Sequence, residues 1–232
     1  MMSEDLLGIL FSEDDKKIKK FFNEQKAKIN KLEPEQQLNA LKNFTKFAGD
    51  LLKSLSDKIK ESNKQKIKNF KLKSEYLQEL IDELAELCVK INPKGCDGSG
   101  SSENSTGLSL AIGKCIESIK SYKDAYEKNE LDDIKKRNDI ANILDAFSEL
   151  CKLADKTIET VDTLCDILKL VTKIVSMIHP ILLQMREIGV KFELKITKEF
   201  NDIVTSIAKQ EIEMEKKGKN INKDNGRGMG SI

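Results

Sequence analysis

From Leu144 to Leu182 the sequence sets an apolar, small or weakly polar residue at every third or fourth position. The series is Leu144, Phe147, Cys151, Ala154, Ile158, Val161, Cys165, Leu168, Thr172, Val175, His179 and Leu182. Steps that alternate three and four keep one face of an α-helix in register, whereas a strand, with its period of two, scatters them over both faces. The columns beside this seam are apolar too: Ile143, Leu150, Leu164, Val171 and Ile178 on one side, Leu153, Ile167, Ile174 and Ile181 on the other. A two-stranded coiled coil needs only the narrow seam. A stripe this wide needs neighbours on two or three sides, so the pattern predicts the central helix of a bundle.

The same stretch is the most apolar of the chain, and length decides what that means. Uncharged residues run only from Ile174 to Met185, 12 in all, where a membrane span takes about 20. Asp162, Asp166, Lys169 and Lys173 recur beside the seam as a polar ridge. A core helix fits that ridge and a lipid-facing one does not. Pro180 lacks the backbone N–H and crowds the preceding turn, so a kink is expected at His179. Apolar periodicity resumes at Met185, Ile188, Phe192 and Ile196, and continues through Phe200, Ile203 and Ile207.

The remaining chain is read the same way. It holds 3 prolines and no tryptophan, and 34% of its residues are charged. All-β folds need frequent turn residues that are missing here. Residues 3–11 read as a short amphipathic helix, and Ser12 followed by Glu13, Asp14 and Asp15 opens another. Ile18, Phe21, Phe22, Ile29 and Leu32 mark the apolar face of that second helix. Pro34 begins a long element reaching about Ile91, either one helix with a polar waist at Lys60–Asn69 or two helices meeting near Ser62 and Asn63, and the absence of Gly or Pro favours the first. The expected fold is all-α: an elongated antiparallel bundle of four to five long helices with coiled-coil-like packing. Residues 1–215 form its single domain, a Gly/Ser/Asn-rich flexible loop at 93–107 joins two helical halves, and 216–232 form a disordered tail.

Catalytic chemistry finds little footing in this pattern. His179 is the one histidine, and its seam position reads as a core residue bonded to a carbonyl rather than a general base. GRGMG near the C-terminus lacks the spacing and following helix of a phosphate loop. Cys88, Cys96 and Cys115 lie too far apart for zinc-ligand pairs. They bracket the flexible loop, so in an oxidising compartment a disulfide among them would staple it. No catalytic residue, metal or cofactor is expected. Five cysteines cannot all pair within one chain, and no signal-like segment opens it, so a reduced cytoplasmic protein is expected, with a mature secreted form as the alternative.

Two surface elements are candidates for recognition. Lys58, Lys60, Lys64, Lys66, Lys68, Lys71 and Lys73 crowd one segment and could meet an anionic surface. Leu6, Leu7, Leu10 and Phe11 could form a membrane- or partner-binding helix. Net charge is only +1, so no overall field recruits nucleic acid, and neither nucleic acid nor a small-molecule substrate is expected. The function expected is non-enzymatic, through protein–protein interaction or self-association. The alternative is a membrane-active, pore-forming or membrane-perturbing protein whose helix at 164–190 or N-terminal helix enters a bilayer. Thr172 and His179, polar on the seam, motivate that alternative.

Overall fold

The computed structural model describes residues 6–10, 12, 14, 16–61, 72, 76–92, 107–128, 133–187, 189 and 194–225. Among them are nine α-helices and no strand. They are α1 Leu6–Leu10, α2 Lys16–Ile29, α3 Pro34–Glu61, α4 Leu77–Ile91, α5 Gly107–Glu127, α6 Asp133–Thr157, α7 Val161–Met177, α8 His179–Glu187 and α9 Leu194–Asn225. The fold is an all-α bundle, cut into more segments than the four to five long helices expected.

Five helices close a ring in the spatial order α3, α6, α5, α4, α7 and back to α3. The most extensive contact is α3 against α6. Ser56 Oγ donates to the Ala141 carbonyl at 3.0 Å and Ser148 Oγ to the Gly49 carbonyl at 2.7 Å. Residue numbers rise on one helix as they fall on the other, so the pair is antiparallel. Cys115 lies beside Cys151, and Ile119 beside Ile140, which makes α5 and α6 antiparallel. Lys123 Nζ meets Gln78 Oε1 at one end of α5 and α4, while Ile91 and Leu108 share a cavity at the other. Lys90–Asp166, Glu83–Lys169 and Glu79–Lys173 run the same opposed way between α4 and α7. A ring with an odd number of members cannot alternate throughout. The pair left parallel is α3 with α7.

A second layer covers that parallel pair. α2 packs on both α3 and α7, α9 packs on α2 and α3, and α1 packs on α2 and α9. Phenylalanine rings join the layers: Phe21 lies 5.2 Å from Phe200, Phe47 lies 5.5 Å from Phe200, and Phe22 lies 6.2 Å from Phe44, centroid to centroid. Phe21–Phe200 and Lys31–Glu211 rise together in number, so α2 and α9 are parallel.

The unbroken seam of the sequence is three helices. α6 stops at Thr157, where β-branched Thr157, Ile158, Thr160 and Val161 crowd together and weaken the helix. Thr160 takes an extended backbone (φ −112°, ψ 131°) as the N-cap of α7. The period survives because Ile158 is buried even in the break. The buried face widens to one side of the seam, however. In α7 the flanking residues Leu164, Ile167, Leu170, Val171 and Ile174 are buried together with seam residues Leu168, Thr172 and Val175, while seam residues Val161 and Cys165 are only half-buried. At Pro180 the interruption is one residue, Ile178 (φ −84°, ψ 0°), whose N–H still bonds the Ile174 carbonyl and whose carbonyl accepts from Leu182 N–H. α7 ends at Met177, and α8 begins at His179 with the proline in its first turn, where the absent N–H leaves no bond unmade.

Two further expectations are corrected. The element from 35 to 91 is two helices: Leu72 is non-helical, and its backbone N–H donates to the Tyr122 hydroxyl at 3.3 Å. α9 continues to Asn225, so residues 216–225 belong to a helix rather than a disordered tail. Lys and Glu are good helix formers, and an established helix can extend beyond its buried face.

Candidate binding cleft

The cleft is assembled from three faces whose apolar stripes are incomplete. On α2 the face passes from Phe22 to Ile29 with Gln25 and Lys26 where an apolar residue would complete it. On α7 the positions opposite are Cys165, Leu168 and Thr172, two of them smaller than the Leu or Ile that would fill a core. α3 supplies Leu41 and Phe44 as the floor. The volume left unfilled between α2, α3 and α7 is about 460 Å³.

Its polar groups divide into used and unused. Thr172 Oγ1 donates to the Leu168 carbonyl at 2.8 Å, which satisfies it within its own helix. Lys173 Nζ donates to Glu79 Oε1 at 2.6 Å and to Glu83 Oε1 at 2.7 Å, and Lys169 Nζ reaches Glu83 Oε1 at 3.0 Å. Lys19 and Lys26 at the mouth of the cleft are exposed and make no ion pair among the described residues. Gln25 is only 5% exposed, and its Oε1 is buried without a hydrogen-bond partner. The lining holds four lysines, Lys19, Lys26, Lys169 and Lys173, against the two acids Glu79 and Asp166, so it is electropositive.

The ion-pair ladder on the cleft's α4 side carries a pH signature. Burial raises the pKa of Glu83, but hydrogen bonds and charge from Lys173 and Lys169 outweigh it and hold the carboxyl below its ordinary value. Asp145 behaves alike: burial raises it, but hydrogen bonds from Lys60, Ser56 and Lys53 outweigh burial and hold it below its ordinary value. A depressed carboxylate stabilises the fold above its unfolded pKa, and that contribution is lost as pH falls through the folded value. The melting temperature is therefore expected to drop between roughly pH 5 and pH 3. Glu83→Gln should lower it at neutral pH and flatten that acid slope, as a calorimetric pH series would read.

The cysteines fall into two states. Cys88 at the end of α4 is disulfide-bonded, with its partner outside the described residues. Cys115, Cys151 and Cys165 are free thiols. Burial pushes Cys151 up to about 12, and burial followed by the neighbouring Cys151 raises Cys115 well above the ordinary range. Both are shielded, whereas half-buried Cys165 opens into the cleft. Cys165 alone of the three is expected to react with N-ethylmaleimide in the native state. Cys115 and Cys151 should follow on denaturation, and Cys88 only after a reductant is added, as peptide mapping would show.

The sites foreseen in the sequence lie elsewhere. Lys58 pairs with Glu61 at 3.2 Å and Lys60 with Asp145, so neither offers a free charge. Lys64, Lys66, Lys68, Lys71 and Lys73 lie outside the described residues, as do Phe11 and Cys96. Leu6 and Leu7 belong to α1, which is docked on α2 and α9, and Leu10 is 2% exposed. His179 is buried, and its Nε2 donates to the Ser12 carbonyl at 2.7 Å, strapping the start of the chain to α8. The sequence reading missed the cleft. Its signal was the seven-residue interval between Phe22 and Ile29, occupied by a glutamine and a lysine.

Among the described residues no cluster of three or more His, Cys, Asp or Glu could hold a metal ion, and no helix is long and apolar enough to cross a membrane. Comparison with protein-family profiles, curated proteins and solved structures finds no match.

Proposed function

We propose that this chain acts without catalysis, as a binding protein, and that the cleft between α2, α3 and α7 is its recognition site. One observation carries the reading: an unfilled space of about 460 Å³ with an apolar floor of Leu41 and Phe44 lies between α2, α3 and α7, with the unpaired Lys19 and Lys26 at its mouth. Interiors pack to near-crystalline density, so an apolar-floored space of this size favours an occupant. Small-molecule sites have volumes of about 300–1,000 Å³ and the same mixture of apolar walls with a few polar groups. The complementary partner has an apolar body and an acidic group facing Lys19 and Lys26. This departs from the sequence-based expectation, which was of protein–protein interaction or self-association and of no small-molecule substrate.

The membrane-active alternative has less support. The polar seam residues that motivated it are satisfied, Thr172 by the Leu168 carbonyl and His179 by that of Ser12.

Anilinonaphthalene sulfonate, an apolar anion, tests the binding reading. The native protein is expected to bind one dye per chain and to protect Cys165 from N-ethylmaleimide. Cys165→Phe, which fills the cleft, should abolish the fluorescence while retaining cooperative unfolding. Dye binding that survives this substitution, or its absence from the wild type, would overturn the reading.

A further inference from the structure

We propose that Asn43 is an acceptor for N-linked glycosylation, modified while α3 is still unfolded, and that its glycan then stands at the outer edge of the α3–α9 contact. The proposal is independent of the cleft and its occupant. Asn43, Phe44 and Thr45 form the triplet Asn-x-Thr, the pattern glycosylated in secreted proteins. Such triplets also arise by chance, and three features of the fold bear on this one. The first is orientation. Phe44 and Thr45 are buried, at 1% and 0% exposure, while Asn43 is exposed. A glycan on the Asn43 amide projects into solvent without displacing a core side chain. The second is room. An open space of about 400 Å³ adjoins Asn43, lined by Lys46 of α3 and by Lys198, Asp202 and Ser206 of α9. Their ammonium, carboxylate and hydroxyl groups suit the hydroxyls of a first sugar ring.

The third is compartment. Cys88 is disulfide-bonded, and disulfides persist where the surroundings oxidise, along the secretory route. Cys115 and Cys151 are free, and burial keeps them from exchanging with it. This favours the secreted alternative, and the lumen in which disulfides form is also where lipid-linked oligosaccharide is transferred to protein. In that step the Asn43 amide nitrogen forms a bond to the anomeric carbon of the first sugar. The bond from that carbon to a polyprenyl diphosphate breaks, and the diphosphate leaves with the amide proton. The fold also fixes the order of events. Transfer needs the hydroxyl at the third position of the triplet, presented on an open chain. In the folded protein the Thr45 hydroxyl is buried and donates to the Leu41 carbonyl at 2.8 Å. Modification therefore precedes the closing of α3, and the finished bundle is no substrate.

The test is secretion of the full chain, behind an added signal peptide, from cultured eukaryotic cells, followed by peptide mapping before and after peptide N-glycosidase F. Most molecules are expected to carry glycan at residue 43, with aspartate left there by the glycosidase. Asn43→Gln, at an exposed position, should lose that glycan and keep the melting transition. Thr45→Val should lose the glycan as well, and Thr45→Ser, which keeps the hydroxyl, should retain it. The folded chain made in bacteria is expected to stay unmodified when given purified oligosaccharyltransferase and lipid-linked oligosaccharide. The same chain held unfolded by reduction and alkylation of its cysteines should accept the glycan. A secreted, folded chain with Asn43 bare, or with glycan at Asn104 alone, would overturn the proposal. Equal modification of folded and unfolded chains would overturn the order of events. Mapping of the same secreted material without reductant should find Cys88 in a disulfide, and a free thiol there would overturn the compartment.

Discussion

Gly49→Val is expected to lower the unfolding free energy by about 3 kcal/mol or more, seen as a fall in the urea midpoint. A Cβ at this position would sit 3.1 Å from Cys151 Cβ and 3.2 Å from the Ser148 carbonyl oxygen. Both neighbours are fixed parts of α6, and neither is the free end of a flexible side chain. Valine must therefore force α3 and α6 apart, and with them the Ser148–Gly49 hydrogen bond. Gly49→Ala sets the same clash against a gain in helix propensity of about 1 kcal/mol, so a smaller loss is expected. Gly113, inside α5, is the control: a Cβ there meets nothing within 4 Å. Gly113→Ala is expected to stabilise by about 0.5–1 kcal/mol. Equal effects at the two glycines would contradict the close approach of α3 and α6.

Phe200→Ala is expected to cost about 3–5 kcal/mol, the range for deleting a buried aromatic ring. Phe200 is 2% exposed and touches rings from both layers, Phe21 of α2 and Phe47 of α3. Its loss acts on the joint between the five-helix ring and its cover. Amide exchange should quicken in α9 and α2 while α6 keeps most of its protection, because α6 is held by α3 and α5. Uniform acceleration across all helices would mean that the two layers open as one unit.

Helical class was readable because the apolar period was strong and turn residues were few. Helix boundaries were not, and the reason is specific. A seam of threes and fours continues through Ile158 because burial, not helicity, is what the period records. The β-branched cluster at Thr157–Val161 was the sign of a break, and it was masked by its own hydrophobicity. Pro180 announced an interruption but not its sharpness. The cleft was harder still. It depends on α2 crossing a parallel helix pair, and that pair exists because five helices close a ring, a fact of topology that no local pattern states. Gln25 and Lys26 interrupt one stripe in the sequence, and only their position across from Cys165 and Thr172 gives that interruption a volume.

The order of helices around the ring also governs how the chain is made. Ser56 waits for a carbonyl 85 residues downstream. At ribosomal rates of about 5–20 residues per second, that partner emerges roughly 4–17 s later. For that interval the emerging chain carries the α3 face around Leu52, Leu55 and Ser56 without the α6 wall that packs on it. Chaperone demand should therefore peak while α4 and α5 are being synthesised and fall once α6 is released.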